Sequence, residues 1–237
     1  MGGPWPRDNS EAPSLRRPTC RSIPDVIHEQ LRRDIAHGIY KPGVLRVGPV
    51  AERFGVSVTP VREALRRLEA EGLVVLRNRQ ILVRALCPAE LEELFAIRAE
   101  LESFAAAQGA ARIADDPALL SRLEQLVDEL DRIDSSQVEE WRAANEDFHM
   151  SIYRAAGMPR LESLIASLWV AVGPYLRLYV GSPHNLVESQ VQHRAILVAL
   201  RRGDAAGAAE VLRVHLSGAL EALLRGLEDA EPEVEPT

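Results

Sequence analysis

The sequence predicts a mainly helical protein in two parts: a small N-terminal unit that ends in a β-hairpin, and a larger, antiparallel all-helical bundle. The chain has 237 residues, more than one minimal domain needs, and its 46% hydrophobic content is enough to fill two ordinary cores. The only strand-like pattern lies between residues 73 and 83, and turn-forming residues divide the remainder at intervals of helical length.

The first 86 residues predict an arm followed by a winged helix-turn-helix. Residues 1–22 hold four prolines and no apolar period, so they are expected to be disordered. Residues 23–86 then read helix, helix, short turn, helix and hairpin, which is the order of that fold. The predicted elements are a helix from Asp25 to His37, a turn at Lys41–Gly43, a helix from Gly48 to Phe54, a helix capped by Ser57 or Thr59 and ended at Gly72, and two strands, Leu73–Leu76 and Ile81–Val83, around a four-residue turn, Arg77–Gln80.

Residues 87–228 predict six amphipathic helices, which pack most simply as an antiparallel bundle. Aromatic residues make up only 5% of the chain, so aliphatic side chains must fill most of the core. Residues 229–237 are acidic and contain proline, which predicts a frayed tail. The helices are separated by breaks at 115–117, 134–136, 157–159, 181–183 and 203–204.

The net charge of −7 conceals an asymmetry between the two parts. Residues 1–86 carry 15 Lys and Arg against 9 Asp and Glu, a net charge of +6, whereas residues 87–237 carry 13 against 26, a net charge of −13. A basic segment joined to an acidic one indicates that the first part meets a polyanion such as nucleic acid and that the second does not.

Cysteine usage and hydropathy argue against several classes of protein. The two cysteines, Cys20 and Cys87, lack the CxxC spacing of a zinc ribbon and are too few for a disulfide scaffold. The N-terminal residues lack the charged and then apolar layout of a signal peptide. The most apolar run, Leu164–Leu176, is shorter than the roughly 20 residues that cross a bilayer and contains Pro174. We therefore expect a soluble, cytoplasmic protein with no membrane contact.

The third predicted helix has a face suited to DNA. Its apolar residues recur at helical spacing and must face the core, which leaves Thr59, Arg62 and Arg66 outside. Arginine on the first turns of a helix can enter the major groove and donate to guanine or phosphate. An ordinary solvated face of arginine and glutamate is the alternative. The apolar residues are Val61, Leu65 and Leu68, and the glutamates that favour the alternative are Glu63, Glu69 and Glu71.

Four helices of the predicted bundle turn polar side chains toward its interior. Arg98 lies within the apolar stripe of the first helix. Asn145 and His149 share one face of the third helix at positions i and i+4. His193 and His215 lie on the apolar faces of the last two helices. Burial of such groups is costly unless they are paired, so partners are expected for each.

The three histidines suggest a metal site. In a hairpin that turns at residues 203–204, His193 and His215 reach the same height because they lie ten residues before Gly203 and twelve after it. With His149 they would suit zinc or nickel. A lone inward histidine is more often a core residue, so a metal-free, purely structural bundle is the alternative. For Arg98 the alternative is an internal ion pair with Glu102, one turn further on.

The stretch Thr59–Leu65 reads TPVREAL, and with its surroundings it resembles the DNA-binding domain of the GntR family of bacterial regulators. The resemblance covers about sixty residues, from Val26 to Leu86. Val58 stands where this family usually has arginine, and the wing tip, Asn78-Arg79-Gln80, lacks the usual glycines. The matching segments are Leu31-Arg32, Ile35, Gly38, Pro42-Gly43, Leu45, Ala51–Ser57 and Thr59–Leu73.

This resemblance implies which residues meet DNA. It places Thr59, Arg62 and the wing-tip residue Arg79 in contact with the operator. Ser57 and Arg66 are assigned to the same surface. The departures at the helix start and the wing imply a different base preference or affinity.

Residues 88–225 resemble the FCD effector domain of the FadR-like subfamily of these regulators. The resemblance implies that His149, His193 and His215 are metal ligands and that Arg98 receives the carboxylate of a small organic acid. Asn145 stands where the family often has aspartate, so its oxygen would be a weaker fourth donor. The matching segments are Arg98–Glu102, Phe148-His149, Ala155–Gly157, Pro159–Leu161, His193–Ile196, Asp204, Ala208 and His215-Leu216.

The favoured function is a ligand-responsive transcriptional regulator that binds a palindromic operator as a homodimer. Two recognition helices one DNA turn apart double the contacts, which is why a dimer is expected. The competing class is a metal-dependent hydrolase that uses the three-histidine site to activate water. That class leaves residues 26–86 without a role, and the sequence shows no inward carboxylate in an obvious position for a base. A DNA-binding module with a structural, metal-free bundle is the third possibility.

Overall fold

The computed structural model describes residues 21–230, and two separate hydrophobic cores divide them. The buried residues of the first core run from Ile27 to Val83, and those of the second from Leu91 to Leu223. The predicted class, a winged helix-turn-helix followed by a helical bundle, is confirmed. The elements are α1 Ile23–Ala36, β1 Gly43–Leu45, α2 Val47–Phe54, α3 Val58–Ala70, β2 Val74–Arg77, β3 Gln80–Val83, α4 Pro88–Ala114, α5 Pro117–Leu130, α6 Val138–Ala155, α7 Pro159–Val172, α8 Leu176–Val180, α9 Pro183–Arg201 and α10 Ala205–Ala230.

Helix α1 begins two residues earlier than its apolar pattern predicts because Ser22 caps it. The Ser22 hydroxyl accepts the N–H of Asp25 at 3.3 Å, and the Asp25 carboxylate accepts the N–H of Ser22 at 3.1 Å. This reciprocal pair satisfies two N–H groups that a helix start leaves open. The apolar face of α1 then packs on α3.

The small sheet is antiparallel, in the order β1-β3-β2. Strand β1 is a correction to the turn predicted at residues 41–43, since Gly43 already pairs with β3. Strand β1 has only three residues, too few to show in the sequence the alternation of apolar and polar side chains that predicts a strand. The predicted four-residue turn of the hairpin is also wrong: Arg77 pairs with Gln80, and only Asn78 and Arg79 form the turn, with φ of 50° and 63°. Two positive φ values match the twist of a tight hairpin, although glycine is the usual residue there.

The prediction of six bundle helices is wrong by one, because the fourth is interrupted. Gly173–Tyr175 form a 3-10 turn between α7 and α8. Pro174 has no N–H, and its ring clashes with the preceding turn of an α-helix. Across this turn, Pro159–Val180 is the one stretch in the described residues that is long and apolar enough to span a bilayer by length and composition, with mean hydropathy 1.4. This stretch is longer than the apolar run recognised in the sequence, which is a further correction.

The predicted arm and tail fall mostly outside the described residues. Residues 1–20 and 231–237 are not described, whereas Ser22 belongs to the cap of α1. Helix α10 extends to Ala230, two residues into the segment predicted to be frayed. The predicted end of the bundle at residue 228 is therefore too early by at least two residues.

The two parts of the chain meet at the turn between α7 and α8. A Cβ on Gly173 would lie only 2.3 Å from the carbonyl oxygen of Ala36, the last residue of α1, so the close approach depends on glycine. The Tyr175 hydroxyl accepts the N–H of Leu86, in the linker before α4, at 2.5 Å. A single three-residue turn thus contacts both the end of α1 and the linker.

Candidate metal centre and nucleic-acid interface

Helix α3 buries its apolar side and exposes the residues that the sequence assigns to DNA. Thr59, Arg62 and Arg66 are exposed, as is Ser57 at the N-cap position. The Ser57 side chain makes no capping hydrogen bond, so its hydroxyl is free for another partner. The predicted inward face is confirmed by four buried residues, Val61, Ala64, Leu65 and Leu68.

The glutamates near α3 are engaged elsewhere. Within residues 21–230, neither Arg62 nor Arg66 forms an ion pair with any of them. Glutamates therefore do not neutralise Arg62 and Arg66, although Glu63 and Glu69 are exposed on the same helix, and the role of the two arginines in DNA binding stays a prediction. The partners are Arg67 for Glu63, the N–H of Leu76 for Glu69, and His28 and Arg32 for Glu71.

The wing lies beside this face. Arg62 and Arg66 border a groove that Leu76 of β2 closes on its other side. Arg79 is exposed at the tip of the hairpin. Among the described residues, the arginines Arg62, Arg66 and Arg79 are thus exposed and form no ion pair, on a helix and on the hairpin beside it, which fits contact with a DNA groove and its flanking phosphates.

In the bundle, the three predicted histidines come together. His149 on α6, His193 on α9 and His215 on α10 offer ring nitrogens that all lie within 4.8 Å of one another. The Nε2 atoms of His149 and His193 are 3.2 Å apart. All three residues are buried, with exposed fractions of 1%, 0% and 6%. Three separate helices therefore converge on a volume the size of one ion.

The environment keeps these imidazoles neutral. Burial, followed by the neighbouring His215, lowers the pKa of His193 well below 6.5. Burial, followed by His215, His193 and Arg98, does the same to the pKa of His149. Burial and Arg98 together lower the pKa of His215 to about 3. The neutral imidazole is the form that binds a metal, so the site is in its ligating state at neutral pH.

Asn145 supplies a further donor to the same place. It lies one helical turn before His149, is buried, and lines the same cavity. Its Oδ1 is a buried acceptor with no hydrogen-bond partner in the described residues. Such an atom costs about 1–3 kcal/mol if it stays unsatisfied. Three neutral nitrogens and an amide oxygen fit a borderline divalent ion such as zinc or nickel.

A second layer of polar groups surrounds the imidazoles. The Nδ1 atom of His149 lies 3.2 Å from the Tyr153 hydroxyl. The Nδ1 atom of His193 lies 3.1 Å from Oε1 of Gln190, and that of His215 lies 2.9 Å from Oε1 of Gln192. Sequence reasoning missed Tyr153 and Gln190. Tyr153 continues the i, i+4 series of Asn145 and His149, so helical spacing could have found it.

Arg98 and Glu102 form the internal ion pair that the sequence left open. Arg98 Nε donates to Glu102 Oε1 at 2.7 Å, and both residues are buried. Trp169 Nε1 donates to the same oxygen at 3.0 Å, and the Tyr153 hydroxyl donates to Oε2. Glu102 is thus an inward carboxylate, as the ion-pair alternative requires. Because Glu102 already accepts three hydrogen bonds, it is not free to act as a base.

A narrow cavity connects His149 and His215 with Arg98. Its free volume is about 30 Å³, and a water molecule needs about 10–15 Å³ on this measure, so it admits very small groups unless its walls move. The Arg98 guanidinium lies over the rings of Phe95 and Trp169, at 4.7 and 5.0 Å from their centroids. Trp141 also lines the cavity, and its buried N–H has no partner among the described residues.

A winged helix-turn-helix joined to a helical bundle with an interior cavity is the architecture of a class of transcriptional regulators. Residues 25–81 match the family described as bacterial regulatory proteins, gntR family, and residues 93–218 match the FCD domain. The chain belongs to the GntR family and carries an FCD domain.

The relatives agree with this assignment. The HTH-type transcriptional regulator McbR of Escherichia coli (strain K12) is 32% identical over 200 residues, covering 81% of this chain and 90% of McbR. The solved structure of E. coli McbR/YncC has a TM-score of 0.76 at 28% identity, covering 87% of this chain and 99% of that one. The Zn²⁺-bound FCD domain of TM0439 shares the fold, with a TM-score of 0.50 at 22% identity over 62% of this chain and 99% of that one.

Proposed function

We propose that this protein is a cytoplasmic, FadR-like regulator that binds a palindromic operator as a homodimer and whose DNA affinity depends on a small carboxylate held at a metal centre. The observation that carries the proposal is the convergence of three buried, neutral histidines in a chain whose DNA-binding part exposes Arg62 and Arg66 without acidic partners. The protein is not an enzyme in this account.

The metal would be held by His149, His193 and His215, with Asn145 as the weaker fourth donor. The Zn²⁺ in the FCD domain of TM0439 supports zinc, and the nitrogen-rich donor set suits nickel as well. When bound, the ion supplies a positive centre for an anionic ligand. The residues of this chain orient the donors and exclude bulk water, since all four are buried.

We propose a small carboxylate as the ligand because the cavity is narrow and contains the Arg98 guanidinium, a cation. Arg98 uses Nε for Glu102, which leaves its two terminal amino groups for a second carboxylate. A buried guanidinium paired through one nitrogen gains from a bidentate partner. The cavity volume of about 30 Å³ favours an acid of few carbon atoms, with outward movement of the walls for anything larger.

The hydrolase alternative gains no support from the site. The buried carboxylate nearest the histidines is Glu102, and Arg98, Tyr153 and Trp169 all donate to it. A general base needs a free lone pair directed at the attacking water.

The dimer is proposed to form through neighbouring helices α4 and α7. Both expose large apolar side chains on the outside of the bundle: Ile97 and Phe104 on α4 are 44% and 47% exposed, and Leu164 on α7 is 56% exposed. Ile97 and Phe104 lie seven residues apart and so share one face of α4, and α4 packs on α7. Covering such a patch with a second copy removes apolar surface from water.

The signal is proposed to reach DNA through the turn Gly173–Tyr175. Trp169 and Val172 before the turn and Leu176 after it line the cavity, while the turn contacts the end of α1 and the linker. A ligand that displaces these walls must move the turn. DNA affinity then changes if the ligand binds the two arrangements unequally.

A thermal-shift screen of mono- and dicarboxylic acids on the zinc-loaded full chain tests the ligand role of Arg98. Some small acid is expected to raise the Tm of the wild type. Arg98→Ala is expected to lose that shift, and Arg98→Lys, which keeps a positive charge beside Glu102 but not the planar fork, is expected to retain part of it. An equal shift in wild type and Arg98→Ala would leave the ion pair as the whole role of Arg98.

Gly173→Ala is expected to uncouple ligand binding from DNA binding. The added Cβ would meet the backbone of Ala36 at 2.3 Å, so α1 and the turn must separate. The thermal shift with the same acid should persist, while its effect on affinity for a DNA duplex selected by the full chain should be lost. Gly48→Ala is the control, because a Cβ there meets nothing within 4 Å. A wild-type DNA response in Gly173→Ala would rule this route out.

A further inference from the structure

The second layer around the histidines has a common chemistry. We propose that Tyr153, Gln190 and Gln192 are positioning residues that hold the three imidazoles as Nδ1–H tautomers, so that all three Nε2 lone pairs face one point. This inference rests on the metal centre proposed above and adds the groups that prepare it. A histidine ligand is oriented by the hydrogen bond that its other ring nitrogen makes.

The direction of the hydrogen bond at His149 follows from Glu102. The Glu102 carboxylate is fully buried and accepts Arg98 Nε and Trp169 Nε1, so the Tyr153 hydroxyl donates its proton to the remaining oxygen. The Tyr153 oxygen then has only lone pairs for His149, and Nδ1 at 3.2 Å must carry the proton.

The other two imidazoles are held by amide oxygens. Oε1 of Gln190, one turn before His193 on α9, lies 3.1 Å from Nδ1 of that residue. Oε1 of Gln192 reaches across to α10 and lies 2.9 Å from Nδ1 of His215. The Gln190 amide nitrogen has no partner among the described residues, so this side chain is used through its oxygen alone. An amide oxygen is a neutral acceptor, which makes this a weaker orienting group than a carboxylate.

The consequence is a set of converging lone pairs. The Nε2 atoms of His149 and His193 are 3.2 Å apart, and with both Nδ1 atoms protonated neither Nε2 has a proton to share. The two Nε2 lone pairs therefore repel each other, and a cation between them would remove that repulsion. Tautomer control thus favours metal binding before any metal arrives, as a preorganised site requires.

Zinc affinity of the full chain, measured by competition with a chromophoric chelator, tests the positioning roles. Tyr153→Phe and Gln192→Leu are each expected to weaken zinc binding about 10–100-fold. Gln192→Glu, which gives His215 a carboxylate partner of the same shape, is expected to strengthen it. Tyr175→Phe removes one buried hydroxyl far from the histidines and is expected to bind zinc as the wild type does. Wild-type zinc affinity in both Tyr153→Phe and Gln192→Leu would overturn the proposal.

Long-range ¹H–¹⁵N NMR of the histidine side chains provides a readout that does not require metal. In the metal-free and zinc-loaded wild type, His149, His193 and His215 are expected to carry the proton on Nδ1. Protons on Nε2 in the metal-free chain would overturn the proposal even if zinc binds. If the wild type binds no zinc but the Nδ1–H tautomers are present, the metal centre is wrong and the positioning roles stand. The wild-type spectrum also decides the matter if Tyr153→Phe fails to fold.

Discussion

His193→Ala is expected to bind no stoichiometric zinc or nickel, whereas the wild type binds one ion per chain. The variant removes one of three buried nitrogens that lie within 4.8 Å of one another, and the remaining pair with Asn145 does not complete a tetrahedral set. Elemental analysis after incubation with the metal and gel filtration measures the content. His184→Ala is the matched control, since this histidine lies on the same helix with its side chain 81% exposed. Metal-free wild type under these conditions would contradict the assignment.

The pH dependence of this site has a definite sign. The folded chain lowers the pKa of all three imidazoles, that of His215 to about 3, so they stay neutral in moderately acidic solution. Metal should therefore remain bound well below pH 6.5, the ordinary pKa of an imidazole. For the metal-free chain the same pKa shifts lower the stability in acid. Below pH 6.5 the three imidazoles bind protons in the unfolded state but stay neutral in the folded state. The free energy of unfolding of the metal-free chain is therefore undiminished above pH 6.5. As the pH drops from 6.5 toward the folded-state pKa, each imidazole lowers that free energy by about 1.4 kcal/mol per pH unit.

Arg62→Ala and Arg66→Ala are each expected to weaken operator binding about 5–150-fold while leaving the dimer intact. A lost base contact costs about 1–3 kcal/mol, and a lost phosphate contact instead lowers the slope of affinity against salt by about one. Fluorescence anisotropy at several salt concentrations separates the two cases. The structure offers Arg67→Ala as a control on the same helix, because Arg67 is occupied by Asp25 and Glu63.

The Arg67 control makes the result specific to the exposed face. If Arg62→Ala, Arg66→Ala and Arg67→Ala all bind the operator like wild type, with the same salt slope, α3 is not the recognition helix. If all three lose affinity equally, general electrostatic attraction explains the binding and not direct contact from this face.

The sequence predicts those features of the molecule that follow from the helical spacing of apolar residues. The inward phase of Val61, Leu65 and Leu68 predicts the outward phase of Arg62 and Arg66. Counting residues on either side of the turn at 203–204 predicts that His193 and His215 meet, and they do.

Contacts between distant segments are what the sequence leaves open. Strand β1 has only three residues, and its pairing with β3 comes from tertiary structure. The role of Glu102 depends on Tyr153 and Trp169, which lie 51 and 67 residues further along the chain. The engagement of Glu71 by His28 and Arg32, which keeps this glutamate from Arg62 and Arg66, is likewise set by the packing of α1 on α3.

Control of DNA binding by a carboxylate at the metal centre is tested directly by the affinity of the zinc-loaded full chain for its selected DNA duplex, with and without the acid that gives the largest thermal shift. The affinity of the wild type is expected to change about 5–150-fold, corresponding to a coupling of about 1–3 kcal/mol, and that of His193→Ala is expected not to change. Equal affinity of the zinc-loaded wild type with and without a saturating concentration of that acid would contradict it.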